Sequence, residues 1–173
     1  TRRSSDLRFI VLSRDITERK NAELEIEKLA FFDPLTLLPN RRFLLDRLQR
    51  GLASSERRGN NGAIFFVDLD NFKTLNDTQG HRLGDLLLVE VAKRLRACVR
   101  RSDSVARFGG DEFVILLPRI NREQDAAVVA QRVLDVLSRP FAIDDRAIAI
   151  SASIGVAAMT PAPLSTAVIP GAA

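Results

Sequence analysis

A β-prone apolar run and a pattern typical of a β-hairpin, each with a pair of acidic residues, constrain the fold of this chain more than any other feature. Ala63–Leu69 is a nearly continuous apolar run, which is typical of a strand covered on both faces. Ser104–Phe108 and Asp111–Leu117 flank a Gly109-Gly110 pair, and this pattern predicts a β-hairpin with a glycine turn. Because a hairpin pairs its strands antiparallel, we expect a mostly antiparallel sheet.

Amphipathic helices are predicted before, between and after these strands. Leu83–Val99 and Ala126–Leu137 carry apolar residues at helical spacing, and Arg41–Leu52 follows a Pro-Asn turn signal that favours a helix start. The polar segment Ser54–Gly62 predicts a loop, and Arg146–Ala157 alternates well enough for one more strand. The order helix, strand, helix, hairpin, helix, strand predicts an α+β fold with helices flanking the sheet.

The two ends of the chain differ in character from this central part. Leu7–Leu12 is a short β-prone run, and Ile16–Ala30 is a thin, highly charged amphipathic helix of the kind that serves as a connector or a short coiled coil. Thr160–Ala173 carries three prolines, one glycine and no charge, so we interpret it as a tail.

Composition excludes several classes of function. The chain has 173 residues, one cysteine (Cys98) and one histidine (His81), which excludes an internal disulfide and any site that needs several histidines. The net charge is only +4, and Trp and Tyr are absent, so the basic, aromatic-rich surface typical of nucleic-acid binding is missing. No apolar run approaches the ~20 residues of a membrane span, and no signal-peptide pattern opens the sequence. We therefore expect a cytoplasmic protein that neither binds nucleic acid nor inserts into a membrane.

The acidic pairs are the candidate site. Asp68 and Asp70 close the buried strand, and Asp111 and Glu112 follow the Gly109-Gly110 turn. If the two strands are neighbours, Asp68 and Asp111 converge, and carboxylate oxygens suit Mg²⁺ together with substrate phosphates. The glycines leave room for a bulky phosphate ester. The alternative is that the acids only keep the strand ends soluble and that the glycines only make a turn.

Three stretches then resemble a known family in the right order along the chain. Arg107–Phe113 (RFGGDEF), Phe66–Asp85 (FVDLDNFKTLNDTQGHRLGD) and Asp33–Arg42 (DPLTLLPNRR) resemble the motifs of the GGDEF family, the diguanylate cyclase domains. The likeness covers about residues 32–157. Upstream, Arg14–Lys20 (RDITERK) resembles the end of a PAS sensor domain that passes into a signalling helix.

The resemblance implies a fold and a division of the chain. The fold is a ferredoxin-like, mostly antiparallel sheet flanked by helices, related to the palm of nucleotide cyclases and polymerases. Residues 1–14 would be the last strand of a PAS-like sensor, 15–31 a signalling helix, 32–159 a GGDEF domain that lacks its C-terminal part, and 160–173 a Pro/Ala-rich tail. Such domains usually continue into a helix with basic residues, and the tail contains no Lys or Arg.

The same resemblance implies the chemistry and its residues. The activity is condensation of two GTP molecules into cyclic di-GMP with release of two pyrophosphates. Asp68, Asp111 and the Leu69 carbonyl match the ligands of two Mg²⁺ ions, with Mn²⁺ as an alternative metal. Asp111 also matches the proton acceptor, Lys73 the residue that steadies the phosphates, and Glu112 a residue that assists the metal. A lysine at a strand end is otherwise simply solvated.

Further positions match substrate and product contacts. Asn76 and Asp85 match the guanine readers, and His81 matches another substrate-side position, although a surface histidine at a helix start needs no role. Arg100 and Asp103 fit the RxxD element that serves the family as a product-inhibition site. Short patterns of charged residues also arise by chance.

The resemblance implies two possible functions, and a third possibility is independent of it. The first is an active diguanylate cyclase that works as a homodimer, formed through the N-terminal helix or through the faces of the domain. The second is an inactive module that binds GTP or cyclic di-GMP and regulates an attached domain, such as a downstream phosphodiesterase. The third is an unrelated α+β interaction domain.

Overall fold

A computed structural model of the chain describes residues 29–58, 61–159 and 166–169. Residues 29–31 are helical and lead into a loop. Four longer helices follow: α1 Arg41–Arg58, α2 Phe72–Gln79, α3 His81–Cys98 and α4 Glu123–Leu137. Seven strands alternate with them: β1 Asn61–Leu69, β2 Ser104–Gly109, β3 Glu112–Ile120, β4 Phe141–Ile143, β5 Arg146–Ile148, β6 Ala152–Met159 and β7 Thr166–Ile169.

The main sheet has five strands in the order β2-β3-β1-β6-β7, and every pairing in it is antiparallel. The predicted hairpin is the β2–β3 pair, and β1 lies at the centre between β3 and β6. Phe65 of β1, for example, faces Ile115 on one side and Val156 on the other. The α+β fold with a mostly antiparallel sheet is confirmed.

The two faces of the sheet are covered unequally. Alternate residues of β1, such as Phe65 and Val67, join the main core with the apolar stripes of α3 and α4. On the other face Ile64 packs in a smaller cluster with Leu44 of α1. Farther along β1 on this second face, Phe66 is 50% exposed. The second face therefore opens towards the end of β1, where the acidic residues lie.

Two predictions of local structure are wrong. Helix α1 runs on to Arg58 and β1 starts at Asn61, so most of the predicted loop Ser54–Gly62 is regular structure. Its polar residues contain no glycine or proline before Gly59, and nothing in them breaks a helix. The single strand predicted over Arg146–Ala157 is two strands, β5 and β6, separated by residues 149–151.

Three elements were not predicted: helix α2, strand β4 and strand β7. Helix α2 has eight mostly polar residues, too few for a clear period. Strands β4 and β5 form a small separate hairpin whose two turn residues, Asp144 and Asp145, both have positive φ angles (46° and 60°). Positive φ angles are normal in a two-residue hairpin turn, but the residues at these positions usually include glycine or asparagine, which would make the turn recognisable in the sequence.

The ends of the chain are only partly described. Within the segment interpreted as a tail, Thr166–Ile169 forms β7 and pairs with β6, so these four residues extend the sheet. The predicted strand Leu7–Leu12 and nearly all of the predicted helix Ile16–Ala30 lie outside the described residues. None of the described helices is long and apolar enough to cross a membrane.

Candidate active site

Three carboxylates meet where β1 ends and the β2–β3 turn closes. Asp68 of β1 is the direct cross-strand partner of Glu112 of β3, and Asp111 precedes Glu112 in the turn. Paired residues on neighbouring antiparallel strands have Cα atoms about 4.5–5.5 Å apart. The structure thus brings Asp68 and Asp111 together, as the sequence predicted, and places Glu112 beside them.

Negative charge accumulates at this point. Partial burial raises the pKa of Asp68, and the charges of Asp111, Glu112 and Asp70 raise it further. In the part of the chain that the structure describes, no three His, Cys, Asp or Glu side chains form a metal site by themselves. The predicted ligand set contains only two carboxylates and the Leu69 carbonyl, so phosphate and water would supply the other ligands of the metal. A divalent cation would relieve the mutual repulsion of these carboxylates, and oxygen atoms are its preferred ligands. The residues present therefore fit such an ion.

Asp70 is held differently from Asp68. Its carboxylate accepts hydrogen bonds from the hydroxyl groups of Ser151 (2.6 Å) and Ser153 (2.8 Å), and its N–H donates to the Ser151 carbonyl (3.0 Å). These contacts anchor the end of β1 to β6. Asp70 therefore fixes the strand end, whereas no such contact occupies the Asp68 carboxylate among the described residues.

Helix α2 begins immediately after this anchor. Asn71 takes a left-handed conformation (φ 58°), and no side chain caps the N-terminus of the helix. The first hydrogen bond of the helix runs from the Leu75 N–H to the Asn71 carbonyl (3.1 Å), so the preceding N–H groups are left for other partners. Exposed Lys73 lies in this first turn. A helix start with a lysine, next to the carboxylates, favours an anion such as phosphate.

The predicted guanine readers lie on adjacent helices. Asn76 of α2 packs against Gly84 of α3 so closely that a Cβ at position 84 would lie 1.9 Å from the Asn76 Oδ1 atom. That oxygen is buried without a hydrogen-bond partner. Asp85 follows Gly84 and is exposed, as is His81 at the start of α3. Asp85 is thus the next residue along the chain from the glycine that Asn76 contacts.

The RxxD element forms a tight turn at the opposite end of β2. The Arg100 N–H donates to Asp103 Oδ2 (2.9 Å), and Ser102 Oγ donates to Asp103 Oδ1 (3.2 Å). Arg96 braces this turn by donating to the carbonyls of Arg100 and Asp103 (3.2 and 3.1 Å). The Arg100 side chain is exposed. Since β2 has six residues, about 20 Å separates this turn from the glycine turn.

Comparisons with known proteins agree with this geometry. The family profile described as "Diguanylate cyclase, GGDEF domain" matches residues 30–169. The chain is 47% identical over 141 residues to the bifunctional diguanylate cyclase/cyclic di-GMP phosphodiesterase MucR of Pseudomonas aeruginosa. The aligned region covers 82% of this chain and 20% of MucR. The chain spans about a fifth of the length of the first curated relatives that it matches.

Solved structures show the same fold. The GGDEF domain of TpbB from Pseudomonas aeruginosa superposes with a TM-score of 0.72 at 40% identity, over 73% of this chain and 74% of that one. The coiled coil and GGDEF domain of DgcB from Caulobacter crescentus, in complex with cyclic di-GMP, gives a TM-score of 0.80 at 27% identity, over 92% and 85%. The chain belongs to the GGDEF family of diguanylate cyclase domains, a family that uses divalent metal ions.

Proposed function

We propose that this domain is a Mg²⁺-dependent diguanylate cyclase that condenses two GTP molecules into cyclic di-GMP and releases two pyrophosphates. The observation that carries the proposal is the juxtaposition of Asp68 with Asp111 and Glu112 beside a glycine turn. Membership of the family and the curated relatives named diguanylate cyclase support the same reaction.

Asp68, Asp111 and the Leu69 carbonyl would hold two Mg²⁺ ions, with Mn²⁺ as an alternative metal. The charges of Asp111, Glu112 and Asp70, which add to burial in raising the pKa of Asp68, support this assignment, because a cation would relieve their repulsion. When bound, such ions activate the attacking hydroxyl group and neutralise charge around the α-phosphate.

The residues of the chain itself supply positioning and proton transfer. Lys73 and the free N–H groups at the start of α2 bind the phosphates. The 3′-oxygen of one GTP attacks the α-phosphorus of the other, the P–O bond to pyrophosphate breaks, and the Asp111 carboxylate takes the hydroxyl proton. Glu112 lies in the same cluster and assists the metal. A second, identical condensation closes the ring, so each half of a homodimer presents one GTP.

Guanine would be recognised by Asn76 and Asp85. The Asp85 carboxylate can accept hydrogen bonds from guanine N1–H and N2–H. Since Asn76 buries its Oδ1 atom, its Nδ2 group is the end offered to an acceptor on the base. His81, exposed at the start of α3, contacts the substrate from the same side.

Product would bind at the RxxD turn and inhibit the enzyme. The exposed Arg100 guanidinium can form a two-pronged contact with phosphate or guanine. The Asp103 carboxylate already accepts two hydrogen bonds and keeps lone pairs for the donor edge of guanine. The proposed partners of the whole protein are a PAS-like sensor and signalling helix upstream and a phosphodiesterase domain downstream; the relative MucR is named both a diguanylate cyclase and a cyclic di-GMP phosphodiesterase.

The test of the metal and proton roles is Asp111→Ala. We expect this variant to form no cyclic di-GMP from GTP while it still binds cyclic di-GMP with the affinity of the wild type. Asp46→Asn is the matched control, because Asp46 is an exposed carboxylate that pairs with Arg50 on α1. Product from Asp111→Ala would refute the assignment. A folded wild type that binds GTP or cyclic di-GMP but makes no product would favour the regulatory-module alternative.

The test of the inhibitory site is Arg100→Ala, with its exposed neighbour Arg101→Ala as control. We expect weaker binding of cyclic di-GMP for Arg100→Ala alone, measured by calorimetric titration. An unchanged titration would remove the RxxD assignment.

A further inference from the structure

One ion pair in the described part of the chain differs from the others in its burial. The side chains of Arg107 and Asp33 are only 13% and 18% exposed. The other ion pairs found there are at least 39% exposed at both partners, and they are Asp46–Arg50, Arg82–Asp144 and Glu90–Lys93. Arg107 lies on β2, and Asp33 lies 74 positions away in the loop that follows the N-terminal helical residues.

The guanidinium of Arg107 holds two parts of the chain at once. Its NH1 group donates to both carboxylate oxygens of Asp33 (3.1 and 3.2 Å), and its Nε group donates to the Gly110 carbonyl (2.9 Å). Gly110 is the second glycine of the turn and has a positive φ of 52°. A glycine pair has wide conformational freedom, and this contact restricts the peptide that leads directly into Asp111.

Asp33 is itself firmly placed. Thr36 donates to Asp33 Oδ1 from its N–H (2.8 Å) and from its hydroxyl group (2.6 Å). Burial alone would raise the pKa of Asp33, but the hydrogen bonds from Thr36 and from Arg107 outweigh it and lower the pKa. The carboxylate is therefore ionised at neutral pH and remains a full partner of the arginine.

The loop that carries Asp33 is joined to β2 and to the helical residues before it. The Arg107 N–H donates to the Pro39 carbonyl (3.0 Å). Asn40 donates from its side chain to the Ala30 carbonyl (3.0 Å) and from its N–H to the Phe31 carbonyl (2.9 Å). Arg107 is thus the link between this loop and the glycine turn.

We propose that Arg107, held by Asp33, is a positioning residue for the reaction: it fixes the Gly110–Asp111 peptide and so sets the place of the Asp111 carboxylate at the metal site. This inference rests on the proposed function. Lysine cannot replace Arg107, because one ammonium group cannot span both the Gly110 carbonyl and the Asp33 carboxylate with the geometry of the guanidinium fork. A small displacement of a reacting group costs up to about 100-fold in rate.

The experiment compares Arg107→Lys and Asp33→Asn with the control Asp46→Asn, which removes an exposed ion pair on α1. The kcat and KM for GTP are measured at a temperature at which circular dichroism shows every variant to be folded. We expect kcat to fall about 10- to 100-fold with KM changed less than about 3-fold, and the double variant to lose little more than either single one. The control keeps the kcat of the wild type.

Mn²⁺ affinity, measured by electron paramagnetic resonance without nucleotide, gives a second readout. We expect it to weaken about 10-fold in Arg107→Lys and Asp33→Asn, because a misplaced Asp111 is a poorer ligand, and to stay unchanged in the control. An unchanged kcat and Mn²⁺ affinity alongside a lower melting temperature would show that the pair only stabilises the fold and would overturn the proposal. A rise in KM alone would overturn it too. If the wild type makes no product, the proposed function fails by itself, and Mn²⁺ affinity alone then decides the role of Arg107.

Discussion

Replacing Asp68 by asparagine should make the metal-free domain more stable while it removes the activity. At neutral pH the Asp68 carboxylate faces Glu112 directly across the β1–β3 pairing, with Asp111 and Asp70 close by. No hydrogen bond or ion pair to this carboxylate is found in the described part of the chain, so Asp68→Asn removes repulsion and breaks no contact there. Asparagine also preserves the shape of the side chain.

The size of the effect follows from the geometry. Favourable cross-strand pairs at directly opposite positions contribute about 0.2–1 kcal/mol, and like charges there are destabilising, which we take to be on the same scale. The two further carboxylates add to this cost, but Asp68 is exposed and solvent screens each pair. We therefore expect the free energy of unfolding to rise by about 1 kcal/mol, which corresponds to about 3–4 °C in the melting temperature of a domain of this size.

The pH dependence has a definite sign. The folded-state pKa of Asp68 is raised, so this carboxyl group favours folding while it is protonated, and that contribution is lost as the pH rises through the folded pKa. The advantage of Asp68→Asn should therefore be present at pH 7, shrink as the pH falls through the raised folded-state pKa, and vanish below the ordinary pKa of an aspartate, where the wild-type carboxyl group is protonated in the folded and the unfolded chain alike.

Melting curves of wild type and Asp68→Asn in EDTA, across this pH range, measure the effect. Asp46→Asn is the control, since Asp46 has a favourable partner and its loss should not raise the melting temperature. Added Mg²⁺ should stabilise the wild type and not Asp68→Asn. A melting temperature for Asp68→Asn in EDTA at or below that of the wild type at pH 7 would refute the reasoning.

Two further substitutions test contacts elsewhere. Gly84→Ala would place a Cβ 1.9 Å from the Asn76 Oδ1 atom and displace that side chain, so GTP affinity should fall about 10-fold by titration; the affinity of the wild type would contradict the role of Asn76. Arg94→Ala removes three hydrogen bonds to carbonyl groups at the end of α4 and a stacking contact 3.5 Å from the Phe141 ring centre. Urea unfolding should show a loss of about 2–3 kcal/mol, and a loss below about 0.5 kcal/mol would mean that solvent replaces these contacts.

The elements with strong periodic patterns could be predicted from the sequence. The apolar run of β1, the glycine turn between β2 and β3 and the apolar stripe of α3 each indicate one structure, and together they place Asp68 beside Asp111. The segment after α4 could not be predicted in the same way. The β4–β5 turn uses Asp144 and Asp145 at positive φ, so it lacks the glycine that normally indicates such a turn.

The contacts that organise the site depend on pairing between distant segments. The Asp70 carboxylate differs from that of Asp68 in that it accepts hydrogen bonds from Ser151 and Ser153, which β6 and the residue before it place beside it. The contact between Arg107 and Asp33 joins residues 74 positions apart, and no local pattern indicates it. The sequence therefore indicates the clustered carboxylates but not the contacts of Asp70 and Arg107 beside them.

The central claim is that this domain joins two GTP molecules. The most direct test is to incubate the purified chain with GTP and Mg²⁺, and to separate the products by chromatography with and without EDTA. We predict one cyclic di-GMP and two pyrophosphates for every two GTP consumed, and no consumption of GTP in EDTA. A folded chain that leaves GTP intact with Mg²⁺, or that converts it only to GDP and phosphate, would contradict the claim.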